Sequence, residues 1–154
     1  MRRNLIPIAG LVLAGVTVLG ADEGKPNLSG TWKLGAAGAN SDQGDRELVL
    51  VIDEKGEDVH ITETRGSNPR DDVSSLTCST MGTECAMQDG RDKAKAFVYY
   101  NGPVLVVLKT HGRKGDTVEK RRLSLSPAGD SLVVEISHIE PQGKDEKLVL
   151  SRAR

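Results

Sequence analysis

Two cysteines are the residues of this chain best suited to covalent or metal chemistry. Cys78 and Cys85 enclose six residues around Gly82 in TCSTMGTEC. In an exported protein an even number of cysteines usually forms disulfides, and a turn at Gly82 would bring these two opposite each other on antiparallel strands. A metal pair would need partner ligands nearby and usually a shorter spacing; free thiols are the other alternative. We predict a Cys78–Cys85 disulfide.

Three histidines, His60, His111 and His138, lie on predicted strands and are the other candidates for metal binding. His60 alternates with apolar neighbours and is predicted to face outward. His138 is in phase with the inward residue Ile136 and could be a single metal or haem ligand, although such histidines are more often solvated or hydrogen-bonded. The sequence has no Gly-x-Ser-x-Gly elbow, phosphate-binding loop or His-Glu-x-x-His motif. We predict no metal, no cofactor and no enzymatic activity.

The chain begins with a segment typical of export. Arg2 and Arg3 precede the uncharged run LIPIAGLVLAGVTVLG, which ends in small residues. A spanning helix needs about 20 apolar residues, slightly more than this run provides. We interpret residues 1–20 as a cleaved signal peptide, with an uncleaved N-terminal anchor as the alternative. Residues 21–154 are then expected to form the mature domain, in the periplasm or outside the cell, without membrane insertion.

The mature chain is mildly acidic. Two arginines leave with the signal peptide, so 19 basic and 22 acidic residues remain and the net charge is −3. This balance gives no electrostatic argument for binding nucleic acid. One local basic patch is interpreted as a solvated hairpin and comprises Arg113, Lys114, Lys120, Arg121 and Arg122. A chain of this length is expected to form a single domain.

Apolar runs alternate with turns rich in Gly, Asp, Asn or Pro along the mature chain. The pairs Asp89-Gly90 and Asn101-Gly102 indicate hairpins with type I′ turns, which need positive φ at both central residues. Successive hairpins form a meander, and closing it removes exposed sheet edges. We predict an all-β fold: a single up-and-down antiparallel β-barrel of 8–10 strands without a C-terminal helix. A two-sheet sandwich is the alternative.

Alternation along the strands predicts which side chains face inward. Gly30 and Trp32 share one side of the first strand, and Arg152 is in phase with the inward leucines of the last. An inward arginine needs a partner, and the face of Trp32 would provide one. The residues predicted to line the lumen and contact a ligand are Leu34, Leu50, Ile52, Val98, Tyr100, Val134, Ile136 and His138.

Together these residues resemble the lipocalin family, in which a Gly-x-Trp motif, here Gly30-Thr31-Trp32, lies on the first strand. The stretches LSGTWKL, NGPVLV and LSPAGDSLVVE are similar to small secreted bacterial lipocalin-like proteins. The resemblance implies that Trp32 plugs the barrel floor and that Arg152 packs across it. The chain departs from the family in lacking a helix after the eighth strand, and its disulfide would pin a hairpin instead of a terminus.

Two kinds of non-catalytic function are compatible with such a barrel. The floor, and a flap formed by Gly35–Asp45, favour a module that binds a small apolar ligand, aliphatic because aromatic rings are few. The alternative is a protein-binding or structural barrel, such as a periplasmic inhibitor of an envelope hydrolase. Val49, Val51 and Val133 would then face outward and contact an envelope protein or a second copy in a homodimer. An enzyme with dispersed catalytic residues is the third hypothesis.

Overall fold

The computed structural model describes residues 24–34, 47–66, 73–111 and 116–154; the predicted signal peptide and the Gly35–Asp45 flap lie outside these ranges. Ten strands are present: β1 (Gly30–Leu34), β2 (Leu48–Lys55), β3 (Asp58–Arg65), β4 (Val73–Ser79), β5 (Met81–Asp89), β6 (Asp92–Asn101), β7 (Val104–His111), β8 (Asp116–Leu125), β9 (Ser131–His138) and β10 (Glu146–Arg152). Each strand pairs with its sequence neighbours, and β1 closes the barrel against β10. The predicted all-β, up-and-down antiparallel barrel is confirmed. No helix in the described part of the chain is long and apolar enough to cross a membrane.

The hairpin turns form where the sequence predicts them, but their type differs. Asp89 pairs with Asp92, and Asn101 pairs with Val104, so each loop has two residues and begins with glycine. Among the described residues only glycines have positive φ. A type I′ turn needs positive φ at both central positions, so the predicted type I′ geometry is wrong at both hairpins.

Alternating inward side chains fill the barrel. On β2, for example, Leu48, Leu50 and Ile52 are buried while Val51 is exposed. The largest fully buried side chains are Trp32, Leu28, Ile52, Leu105, Leu132, Leu150, Val59 and Val98. Each aliphatic side chain removed from water in this way contributes about 1.5–3 kcal/mol. The barrel interior is therefore a packed core along much of its length.

Residues 24–29 cross one end of the barrel, which we call the closed end. Glu54, at the end of β2, accepts hydrogen bonds from the Leu28 amide (2.8 Å) and from the Tyr100 hydroxyl of β6. Its own amide donates to Ser29 Oγ at 3.0 Å. Lys25 lies 4.8 Å from the centroid of the Tyr100 ring. The N-terminal segment is thus attached to strands on two sides of the barrel.

Trp32 and Arg152 meet at this closed end. They are directly paired across β1 and β10, and the guanidinium carbon lies 4.2 Å from the centroid of the indole ring. Trp32 is fully buried, and its Nε1 donates to the Leu28 carbonyl at 3.0 Å. Arg152 remains exposed and donates to the Ser29 carbonyl at 2.9 Å. The tryptophan seals the floor, and the arginine covers it from outside.

Gly30 is required by this arrangement for two reasons. Its φ of +146° lies in a region that side chains rarely adopt, and a Cβ there would stand 2.5 Å from Arg152 Nη1. The Gly-x-Trp motif therefore has two parts. Gly30 provides a backbone position that only glycine fits, and Trp32 provides the ring that Arg152 covers.

The predicted disulfide between Cys78 and Cys85 is confirmed, with 5.5 Å between the two Cα atoms. The backbone pairing of β4 with β5 runs from Ser74–Asp89 to Leu76–Met87. The two cysteines are the next inward pair in the same register. The disulfide therefore links β4 to β5 beyond the point where their backbone pairing ends. It lies next to an irregularity in β5.

Substitutions at the floor test the closure of the barrel. We expect Trp32→Ala to lower the free energy of unfolding by about 3–5 kcal/mol, because it leaves a large cavity. Arg152→Ala should cost about 1 kcal/mol, because the cation–ring contact is partly solvated. The double variant should cost less than the sum, since Arg152 has no ring to cover once Trp32 is gone. Urea unfolding measures all three, with exposed Arg154→Ala as the near-silent control; strictly additive effects would contradict this closure.

Candidate ligand site at the open end

The eight residues predicted to line a ligand lumen do not surround a single cavity. Four of them are packed in or against the core or bound at the closed end: Leu34, Ile52, Val98 and Tyr100. The other four border free space. Leu50 and Val134 line a small chamber inside the barrel, and Ile136 and His138 lie at the end of the barrel opposite the floor. The space available to a ligand therefore lies toward that second end, which we call the open end.

The chamber lined by Leu50 and Val134 is small. Its volume is about 30 Å³, and its apolar wall consists of Leu50, Ile61, Leu76, Met87, Val107, Leu123 and Val134. Pockets for drug-sized ligands usually measure about 300–1,000 Å³. The chamber has room for about a water molecule, so a larger molecule could enter only if side chains move. Glu63 and Arg121 border the same chamber and cover it on the side of the open end.

Charged side chains that face inward form this cover. Arg121 on β8 donates to both Glu63 on β3 and Glu119 on β8, and Arg65 donates to Glu63 from the side. Glu63 keeps only 8% of its side chain exposed and Arg121 only 16%. Removing one partner from such a buried pair typically costs about 3–5 kcal/mol, because the other charge is left unpaired.

A second ion pair completes the charged layer across the barrel. Lys109 on β7 donates to Asp89 on β5, and the Ser74 hydroxyl donates to the same carboxylate at 2.8 Å. Every buried side-chain nitrogen and oxygen in the described part of the chain has a hydrogen-bond partner. We call Glu63, Arg65, Asp89, Lys109, Glu119 and Arg121 the charged layer.

The charged layer holds three of its members in their ionised forms. Burial raises the pKa of Glu63, but Arg121 and Arg65 lower it by more, so the net shift is downward. Burial likewise raises the pKa of Asp89, and hydrogen bonds from Lys109 and Ser74 outweigh it. Burial lowers the pKa of Arg121, whereas Glu63 and Glu119 raise it, and the net shift is upward. All three groups therefore stay charged at neutral pH.

His138 stands above the charged layer at the open end. Its Nδ1 lies 3.7 Å from Glu119, and its Nε2 lies 3.1 Å from Glu146. His60 lies on the outer face, as predicted, and contacts Thr77 at 2.8 Å. Among the residues that the structure describes, no group of three or more His, Cys, Asp or Glu side chains is placed to hold a metal ion.

Larger spaces lie above the chamber. One, of about 260 Å³, borders the charged layer together with His138 and Glu146. The other, of about 630 Å³, lies under the connection formed by residues 139–145. Lys109, Glu119, His138 and Glu146 border both spaces. A molecule at the open end would therefore meet charged and hydrogen-bonding groups first and apolar side chains only below them.

The charged layer was not predicted, although alternation along the strands shows that its residues face inward. Glu63 and Arg65 are in phase with buried Ile61, and Arg121 is in phase with buried Leu123. The interpretation of Arg121 as part of a solvated basic patch is wrong, because its side chain points into the barrel and binds two carboxylates.

No family model matches this chain, and no curated protein matches it. Among solved structures it is similar to human cRBP IV, with a TM-score of 0.59 and 20% sequence identity over 83% of this chain and 99% of that one. The chain has a lipocalin-like barrel fold. The neighbour is a cellular retinol-binding protein. At this identity the likeness shows the fold alone, so a ligand-binding function for this lipocalin-like barrel has to be argued from its own side chains.

The charged layer makes stability depend on pH in a defined direction. Glu63 has a lowered pKa in the folded state, so its contribution is present above the pKa of the unfolded chain, about 4.3, and is lost as pH falls through the folded value. We expect Glu63→Gln to cost about 3–5 kcal/mol of unfolding free energy at pH 7. The difference from wild type should narrow as pH falls below about 4.3, because the Glu63 carboxyl then takes up a proton more readily in the unfolded chain than in the folded one.

Urea unfolding across this pH range measures both effects. Asp53→Asn is the matched control, because Asp53 forms an exposed pair with Lys55 at 3.1 Å and should change little at any pH. A constant gap between Glu63→Gln and wild type from pH 7 to about pH 3 would contradict the ionised, buried state of Glu63.

Proposed function

We propose that this protein is an exported, non-catalytic barrel that binds a small amphipathic molecule at its open end. The observation that carries the proposal is the order of groups along the barrel axis: free space, then the charged layer, then the apolar chamber. A polar head would bind among the charged side chains, and a short apolar part would enter the chamber below. The retinol-binding structural neighbour supports a small-ligand function for this kind of barrel.

The charged layer argues against a purely apolar ligand, which was the hypothesis from the sequence, and favours one with a polar head. A purely apolar molecule would have to separate Arg121 from Glu63 without replacing their hydrogen bonds, and unpaired buried charges are costly. A polar head can supply those hydrogen bonds as it enters.

Export and lack of catalysis are supported by different features. Export is supported by the signal-like first 20 residues and by the Cys78–Cys85 disulfide, since disulfides persist in oxidising compartments. The charged groups of the open end are bound to each other, as Lys109 is to Asp89, and not held ready for proton transfer to a substrate.

A protein-binding or structural barrel is the second candidate, and the filled lumen favours it. Of the three valines expected on a contact face, Val51 is 38% exposed, whereas Val49 and Val133 are only partly exposed. Lys33 pairs with Val49 and interrupts the apolar surface on that side. These valines are therefore a weaker basis for function than the open end.

Amide NMR shifts with eight-carbon probes test the ligand proposal. We expect octanoate or octyltrimethylammonium to shift amides at His138 and Leu76, because the head binds at the open end and the chain enters the chamber. Octanol should bind more weakly, because it carries no charge for the charged layer. Amides around Trp32 should not move. If none of these probes shifts the open-end amides, the ligand proposal is wrong and the second candidate stands.

A pair of adjacent substitutions separates chamber binding from surface binding. Leu76→Phe fills the chamber and should weaken the best probe about tenfold, since small volume changes in an apolar pocket have effects of this size. Thr77→Phe adds the same ring on the exposed outer face and should leave the affinity unchanged. Equal affinities for the two variants would exclude the chamber as the binding place.

A further inference from the structure

The outer face of β5–β8 carries an apolar patch that the ligand site does not use. Phe97 and Tyr99, two of the four aromatic residues in the chain, lie on the outer side of β6. Leu108 pairs with Phe97, and Val106 pairs with Tyr99. Met81 pairs with Tyr99 and is 66% exposed. Val106 itself is only 2% exposed. We call Met81, Phe97, Tyr99 and Leu108 the outer patch.

The outer patch has opposite charges on its two sides. Glu84 on β5 pairs with Phe97, Phe97 pairs with Leu108, and Leu108 pairs with Lys120 on β8. One line across four strands therefore runs from an acid through two apolar residues to a base. Read in reverse, the same line runs from base to acid, so it is complementary to a reversed copy of itself.

We propose that the outer patch joins two copies of this chain in a symmetric dimer. The two-fold axis would lie in the contact plane, parallel to the strands and between β6 and β7. Rotation about it sets Glu84 against Lys120 of the partner subunit and Phe97 against Leu108 of the partner subunit. Symmetric dimers require a self-complementary surface of this kind.

The neighbouring line of residues fits the same axis. Met81, Tyr99, Val106 and Arg122 follow one another across the four strands. The rotation sets Met81 against Arg122 of the partner subunit, whose aliphatic stem can cover an apolar side chain while its charge stays in water. The most exposed side chain of the outer patch is then buried in the dimer.

Charge and shape favour a second copy over other occupants. An anionic surface would be repelled by Glu84, and a cationic one by Lys120. Two convex barrels touch along their centre and diverge at the sides, so the outermost contacts need long side chains, which Glu and Lys have.

Glu84 remains available for a contact with the partner subunit. It already accepts a hydrogen bond from Lys95 at 2.6 Å but keeps 47% of its side chain exposed and can accept a further donor. The open end stays free, so the dimer is independent of the ligand proposal.

Charge reversal tests the dimer directly. Sedimentation over a range of protein concentrations is expected to give a reversible monomer–dimer equilibrium for the mature chain. Glu84→Lys or Lys120→Glu alone should weaken the dimer roughly tenfold, because each sets like charges against each other. The double reversal, Glu84→Lys with Lys120→Glu, should restore it. Lys33→Glu on the outer face of β1 is the control and should leave the equilibrium unchanged.

Three outcomes would overturn the proposal. The first is a monomer at every concentration with retained β-sheet circular dichroism. The second is a dimer indifferent to the single reversals. The third is a monomer that sediments with phosphatidylglycerol vesicles and loses this binding in Lys120→Glu, which would assign the outer patch to a membrane surface. None of these measurements involves the eight-carbon probes, so failure of the dimer leaves the ligand proposal intact.

Discussion

A sheet that closes on itself must join its first and last strands, and here that join passes through the five residues of β1. Trp32 lies in both pairings of β1, because it is opposite Arg152 on β10 and opposite Leu50 on β2. Its ring fills the floor of the barrel between β2 and β10, while Gly30 leaves room for Arg152 beside the ring. The order of the remaining strands follows from short hairpins, but closure depends on this one packed ring.

The same closure encloses charged side chains, and their pairing determines the volume of the lumen. Inward positions near the floor are aliphatic and pack at core density. Inward positions near the open end include Glu63, Arg121 and Lys109, which must be paired because the barrel wall excludes water from them. Paired side chains span the lumen, so satisfying the charges leaves an apolar chamber of only about 30 Å³ below them.

Much of the barrel could be predicted from sequence, because the relevant signals are local. Alternation gives the inward face, glycines give the hairpins, and Gly30 with Trp32 gives the floor. Alternation also places Glu63 and Arg121 inward, but their contact could not be derived in the same way, since they are 58 residues apart and belong to strands that do not pair. Their contact depends on the register of several intervening strands and on an irregularity at Lys109 that local alternation does not contain.

The likeness to a retinol-binding barrel at 20% identity therefore concerns the scaffold alone. Strand order and closure are backbone properties and persist at 20% identity. The capacity of a lumen depends on the volume and charge of the side chains that point into it, and those can change without altering the sheet. In this chain the inward pair Glu63–Arg121 replaces open volume with a polar barrier. In the function that we propose, a ligand must exchange hydrogen bonds with that barrier before it reaches the apolar chamber, so polar complementarity would come before hydrophobic burial in the selection of a ligand.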